Sequence, residues 1–398
     1  MPPSSKRPRV AFVVQRCGNE VNGGAELACL QVAQRLSAHW DTEVLTTCAL
    51  DYMTWANHYP VGAEAVGSTR IRRFTVDQPR DVEHFNRLSE QLHTRRTSAP
   101  LSEQEAWMRA QGPLSSALTD YIRANRESYD LFIFFGYLYA QTYFNLPLVA
   151  DRAVLAPLAH DEWPIYLSMW ESFFALPKEF IFLTQEEKDF VAKRFQRLRV
   201  DGQIAALGVE LQSKPNTQRF RETTGIKGDF LLYAGRIDPS KGCSQLFADF
   251  LAAKTNWRIP HKLVLVGRAA MDIPKHEDII PLGFVSDELK TDAMAACDWL
   301  VMPSPHESFS YALLEAWLCG RPTLATKDSE VLVGHCRRSR GGLWYSNGME
   351  LAAALTCITA EEKEALGREG QLYVKRNYSW VSILPRYCIL CEKNIGIA

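Results

Sequence analysis

Short apolar runs alternate along the chain with longer segments whose apolar residues recur every three to four positions. This is the pattern of buried strands and amphipathic helices taking turns around a parallel sheet. In the first half the runs predict strands at Val10 to Gln15, Glu43 to Thr47, Ile71 to Phe74, Leu131 to Phe135, Ala153 to Pro157, Phe180 to Thr184 and Gln203 to Ala206. A second series starts at Phe230 to Ala234 and continues with Leu263 to Val266, Asp278 to Pro281, Trp299 to Met302 and Thr323 to Ala325. Between the series lies a polar stretch, Gly208 to Asp229, with Pro215 and three glycines, which suits a junction between domains. The closing segment Asn377 to Glu392 is apolar over much of its length behind the highly charged Glu361 to Arg376, so it is expected to pack outside its own domain. The expected organisation is α/β, with one domain over residues 1–207, rejoined by 377–398, and a second over 208–376.

Composition narrows the class. With 398 residues, 46% hydrophobic and 23% charged, the chain is an ordinary globular one of two or three domains, not a disordered or fibrous one. Lys+Arg 45 against Asp+Glu 46 leaves a net charge of −1, so no global field gathers nucleic acid, which is not an expected partner. Ten cysteines at irregular spacing form neither a disulfide scaffold nor paired metal ligands, and Cys388-Ile-Leu-Cys391 stands alone. Reduced thiols, a cytoplasmic chain and no metal are expected. Polar and charged residues, Arg16, Asn19 and Glu20, follow the basic N-terminus too soon for a secretory leader. Leu131 to Ala150 carries no charge over a bilayer-spanning length. Gly136, Gln141, Thr142, Asn145 and Pro147 interrupt it, so a strand, a loop and a short helix are expected instead.

Three strand-to-helix loops carry candidate chemistry. In Gly235-Arg236-Ile237-Asp238-Pro239-Ser240-Lys241-Gly242, Asp238 or Ser240 can cap the following helix, and two cations stand beside outward N–H groups, an arrangement suited to a diphosphate. A solvated basic pair on a turn is the plainer alternative. In Pro303 to Glu315, Glu307 and Glu315 would be separated by about 12 Å of rise if the segment were helical throughout. That exceeds the roughly 5 Å of a retaining glycosidase pair and suits two carboxylates accepting from hydroxyls at different parts of one extended ligand. Here the alternative is a helix-start acid and a solvated one. The third loop, Asn22-Gly23-Gly24-Ala25-Glu26, lacks the spacing of a dinucleotide fingerprint, and is either a backbone nest near a ligand or a tight turn.

Gly23 to Glu26 (GGAE), Gly235 to Gly242 (GRIDPSKG) and His306 to Trp317 (HESFSYALLEAW) together resemble the retaining nucleotide-sugar glycosyltransferases of family four. The resemblance spans nearly the whole chain and is strongest from about Leu231 to Thr326, where the order GR-x4-KG, LVLVG, LGFV, E-x7-E and GRPTLAT holds throughout. It implies the GT-B fold, two Rossmann-like α/β/α domains facing a central cleft, with the last helix crossing back to the N-terminal one around Ser379-Trp380. It further implies that Arg236 and Lys241 bind the donor diphosphate, Glu315 accepts from the ribose, and Glu307 holds sugar hydroxyls near the anomeric carbon. Gly23, Gly24 and Gly235 match loops that approach the donor; Gly283, Phe284 and Val285 match the wall against its base; Ser308, Phe309 and Ser310 lie where amides face phosphate and sugar. His160, in LAHDE, matches the histidine that reaches the transferred sugar. Two residues depart from the pattern: Ser310 stands where many members have glycine, and Arg268 where a small or acidic residue is common.

The activity so implied is retaining transfer of a hexose-type sugar from a nucleotide diphosphate, UDP- or GDP-linked, to a hydroxyl acceptor, with no cofactor and no metal. A GT-B epimerase or phosphorylase and a non-catalytic sugar-nucleotide-binding partner are the alternatives; the presence of both His160 and Glu307 favours catalysis. Many relatives act on lipid-linked acceptors, which makes Lys193, Arg194, Arg197 and Arg199, with Arg70, Arg72 and Arg73, a candidate peripheral contact at the inner membrane face. A solvated helix end is the alternative. Trp163, Tyr166, Trp170, Phe173 and Phe174 are either an acceptor surface or core.

Overall fold

The computed structural model describes residues 7–21, 23–198 and 200–397, which form two compact units. The first comprises Met1–Leu207 with Ile383–Ala398, the second Gly208–Ser382.

In the first unit the strands are β1 (Arg9–Arg16), β2 (Asp41–Thr47), β3 (Gly62–Val66), β4 (Thr69–Phe74), β5 (Leu131–Phe135), β6 (Ala153–Ala156), β7 (Glu179–Phe182) and β8 (Gly202–Ile204). They form one sheet in the order β3-β4-β2-β1-β5-β6-β7-β8, parallel except for the antiparallel β3–β4 pair. Central strands are buried on both faces, which is why Val10 to Val14 and Leu131 to Phe135 are unbroken apolar runs. Strand β3 was absent from the expected set: it is an exposed edge whose sequence, Gly-Ala-Glu-Ala-Val, buries no face. The uncharged Leu131 to Ala150 segment is β5, a helix over Ala140–Asn145 and a 3-10 turn from Leu146. No helix among the described residues is long and apolar enough to cross a membrane.

The second unit holds β9 (Phe230–Ala234), β10 (Lys262–Val266), β11 (Ile279–Gly283), β12 (Trp299–Met302), β13 (Thr323–Thr326) and β14 (Gly342–Tyr345). All are parallel, in the order β11-β10-β9-β12-β13-β14. Counted from β9 this is the doubly wound order 3-2-1-4-5-6, in which the chain reverses direction across the sheet between β9 and β12. Strand β14 also went unforeseen, its four residues starting on the second of two glycines.

The tail helix Trp380–Ile395 begins in the second unit and ends in the first. Tyr387 donates to the carbonyl of Ala206 at 2.8 Å and Asn394 to Glu179 at 2.7 Å, which ties residues from Ile383 onward to the first sheet. Residues 377–382, expected to leave with them, stay in the second unit. There the Val209 amide donates to the carbonyl of Tyr378, and a Cβ on Gly208 would lie only 2.2 Å from the Trp380 ring.

Candidate nucleotide-sugar site

In a parallel sheet the loops leaving the carboxyl ends of strands on either side of the switch point line the ligand crevice. The loops Gly235–Gly242 after β9 and Pro303–Ser310 after β12 occupy those two places in the second unit. Glycines let them touch. Gly242 has φ +73°, and a Cβ there would lie 2.1 Å from the carbonyl oxygen of Pro303. Gly267, after β10, has φ +141°, and its Cβ would meet the carbonyl oxygen of Gly235 at 1.9 Å.

The expected cap of the helix after β9 differs in detail. Asp238 accepts from the amide of Lys241 at 3.1 Å and from the Ser240 hydroxyl at 2.6 Å, closing a 3-10 turn over Pro239–Lys241. The α-helix Cys243–Trp257 begins only after Gly242, with no side-chain cap. Asp238 also pairs with the exposed guanidinium of Arg236. Burial opposes ionisation of Asp238, but the Ser240 hydroxyl, the Arg236 charge and the Lys241 amide outweigh it and hold its pKa below the usual carboxylate value. The Tyr233 hydroxyl donates to the Arg236 carbonyl at 2.6 Å, fixing the base of the loop.

Lys241 reaches across the switch point. Its Nζ donates to Glu307 Oε1 at 2.8 Å, so the two residues assigned to diphosphate and sugar meet each other directly. Glu307 lies in the loop and not on a helix, since the helix spans only Tyr311–Leu318; the 12 Å helical separation from Glu315 therefore does not apply. Ser310, at the helix start, has φ +72° and makes no side-chain cap bond, and its buried Oγ has no partner among the described residues. That left-handed conformation is the physical reason glycine would suit the position. Phe309 is buried beside His335, Tyr378 and Tyr311, while Ser308 is half-buried. Burial depresses the imidazole pKa of His335 to about 3, with help from the Arg338 charge.

Glu315 is a buried carboxylate, not a solvated one, and burial raises its pKa. Lys290, from the helix Asp287–Ala296, reaches its two oxygens at 3.3 and 3.2 Å. Nothing local points to this partner, because Lys290 reads as one more polar residue in the polar first turn of its helix. At the end of β11, Gly283 takes φ +70°; beyond it Phe284 is exposed with Arg268 over its ring, and Val285 is half-buried.

In the first unit, Gly23, Gly24 and His160 follow β1 and β6, again at carboxyl ends. A Cβ on Gly23 would strike the Glu26 carboxylate at 2.2 Å, whereas one on Gly24 would meet open space. Glu26 pairs with the buried Arg16 at 2.6 Å. Asn22 lies outside the described residues. His160 Nδ1 is 3.7 Å from Glu162, which accepts from Tyr137 at 3.4 Å. Sequence reasoning also missed Glu187, whose carboxylate accepts from the amides of Ala159 at 2.8 Å and Leu183 at 2.7 Å. It thereby clamps the turn leading to His160, and burial pushes its carboxyl up to about 8 against the pull of those amides.

Several expected surface residues are otherwise engaged. Arg72 pairs with Glu43, Arg73 is buried against Glu64, and Arg194 pairs with Glu171; Lys193 and Arg197 remain exposed and Arg199 lies outside the described residues. Trp170, Phe173 and Phe174 belong to the core, with Trp163 and Tyr166 packed against it. Among the described residues no three His, Cys, Asp or Glu side chains converge as a metal site.

Residues 228–360 match the family model described as Glycosyl transferases group 1. The match lies within the second unit and takes in β9 to β14. A GDP-mannose-dependent alpha-(1-6)-phosphatidylinositol dimannoside mannosyltransferase of Mycobacterium tuberculosis is 26% identical over 151 residues, 35% of this chain and 39% of that protein. The chain thus spans less than half the length of the curated relatives it matches. Sucrose-phosphate synthase of Thermosynechococcus elongatus superposes with a TM-score of 0.75 at 16% identity, over 98% of this chain and 100% of that one. Anabaena HepE, solved in complex with UDP and glucose, gives 0.67 at 18% identity, over 97% of this chain and 100% of its own. The fold shared with these structures is GT-B.

Proposed function

We propose that the chain is a retaining glycosyltransferase that moves a hexose-type sugar from a nucleotide diphosphate to a hydroxyl acceptor. The observation that carries this reading is the Lys241–Glu307 pair spanning the switch point, with Arg236 paired to Asp238 in the same loop as Lys241 and an uncapped helix start at Ser310. A cation and hydrogen-bond donors are gathered where a leaving diphosphate acquires charge, and a carboxylate stands next to them to accept from sugar hydroxyls. The bond from the anomeric carbon to the phosphate oxygen breaks as the acceptor oxygen bonds to the same face, and the acceptor proton passes to the leaving phosphate. Arg236 and Lys241 supply the positive charge, so this mechanism uses no metal and no cofactor. His160 reaches the transferred sugar, Glu315 the ribose, and Phe284 and Val285 the base. The GDP-mannose dependence of one relative and the UDP bound to one structural neighbour make GDP- and UDP-sugars the first donors to try.

The test is nucleotide release from UDP-, GDP-, ADP- and dTDP-sugars without added acceptor, with Lys241→Ala as the blank. Slow release from one donor, reduced on the order of a hundredfold in Lys241→Ala and in Glu307→Ala, supports the reading. Near-normal turnover in either variant, or no release and no thermal shift with any nucleotide, refutes it.

A further inference from the structure

We propose that Lys290 is a positioning residue of the nucleotide site, whose ammonium holds the Glu315 carboxylate ionised and turned toward the ribose hydroxyls of a nucleoside diphosphate. The inference rests on the proposed role of Glu315 as ribose acceptor and adds the residue through which that role is maintained.

Glu315 sits in the apolar run Leu313, Leu314, Ala316 and Trp317, all fully buried. A carboxylate there presents both oxygens purely as acceptors to two hydroxyls only in its ionised form, because protonation turns one oxygen into a donor. Taking the charged form out of water is costly unless a partner compensates it. Lys290 contacts both oxygens, at 3.3 and 3.2 Å, and is the partner that counters the effect of burial. Asp287, 3.7 Å from Lys290 and on the same helix, pushes the other way and increases the need for the ammonium.

The placement of Lys290 suits a nucleotide as well as a carboxylate. Its helix is capped by Ser286, directly after the Gly283 to Val285 turn proposed to face the base. A nucleotide with its base against Phe284 and Val285 brings its ribose to the first turn of this helix, where Lys290 and Glu315 meet. The two residues are 25 positions apart in sequence and join only because their helices pack together.

The experiment is titration calorimetry of the full chain with UDP and with GDP. Against the nucleotide that binds, Lys290→Met is expected to weaken affinity about tenfold, and Lys290→Arg to stay within about threefold of the parent. Glu315→Gln should also weaken it, and the double variant Lys290→Met/Glu315→Gln should bind no worse than Glu315→Gln alone. Thermal melts without nucleotide accompany each variant; if Lys290→Met does not fold, Lys290→Gln replaces it in the same cycle. Parent-like affinity in the Lys290 variants while Glu315→Gln is impaired overturns the inference and leaves the donor-site reading intact. Additive losses in the double variant also overturn it, since Lys290 would then act on the nucleotide independently of Glu315. If Glu315→Gln binds like the parent, or the parent binds neither nucleotide, the ribose role itself fails and this inference fails with it.

Discussion

Replacing Gly242 with alanine asks whether contact between the two phosphate-side loops is a structural requirement. An alanine there keeps φ +73°, which costs a residue with a Cβ about 1–2 kcal/mol. Its methyl would also stand 2.1 Å from the Pro303 carbonyl oxygen, so one loop must withdraw by roughly an ångström, an overpacking cost of about 1–3 kcal/mol. Loss of glycine freedom in the unfolded chain returns about 0.4–1 kcal/mol. The net expectation is a destabilisation of about 2–4 kcal/mol. Gly225→Ala is the control, because φ is +68° there but no atom lies within 4 Å of the added methyl; it bears only the conformational cost. Urea denaturation followed by the fluorescence of the buried Trp299 and Trp317 reads both variants. Gly242→Ala should also bind nucleotide at least about tenfold more weakly, since the loop that moves carries Lys241 or Glu307. If the two alanine variants agree within about 0.5 kcal/mol, the loops are not held by this contact and the reasoning fails.

Ser310→Gly removes both the left-handed strain and a buried hydroxyl without a partner, so it should raise stability by about 1–2 kcal/mol in the same urea assay; a loss of stability would contradict that account. His335, depressed to about 3 in the folded chain against 6.5 unfolded, contributes fully above pH 6.5 and loses its contribution as the pH falls from 6.5 toward 3, because the unfolded state takes up the proton first. Stability should drop by up to about 4–5 kcal/mol over that window, and His335→Phe should flatten the profile; an unchanged slope in the variant would rule His335 out. Glu187→Ala leaves the amides of Ala159 and Leu183 buried without their acceptor and should cost about 2–4 kcal/mol by thermal or urea denaturation, whereas a neutral effect would show that the turn before His160 needs no clamp.

The sequence revealed elements where burial dictates residue type. Strands β1, β5, β9, β10 and β12 announce themselves because both faces are covered and their central positions are apolar without a break. The antiparallel edge β3 and the four-residue β14 do not, since neither has enough buried length to impose a pattern. Site loops were readable where glycine and charge cluster locally, as in Gly235 to Gly242. Pairings across many residues were not: Lys290 with Glu315, and Glu187 with the turn before His160, depend on which helix packs beside which loop. Local reading also left open where the helix after Pro303 begins; it waits for the left-handed residue Ser310, so Glu307 stays in the loop.

The pairing of Lys241 with Glu307 has a consequence for selectivity among anions. Until a sugar hydroxyl engages Glu307, Lys241 is paired with a carboxylate 2.8 Å away, so a simple anion without hydroxyls gains little by approaching it. Free phosphate that captured Lys241 would leave Glu307 facing another negative charge. A ligand that brings hydroxyl donors along with its phosphates can satisfy both partners at once, so on the proposed reading the pair favours a molecule in which the two chemistries are covalently joined over a small anion.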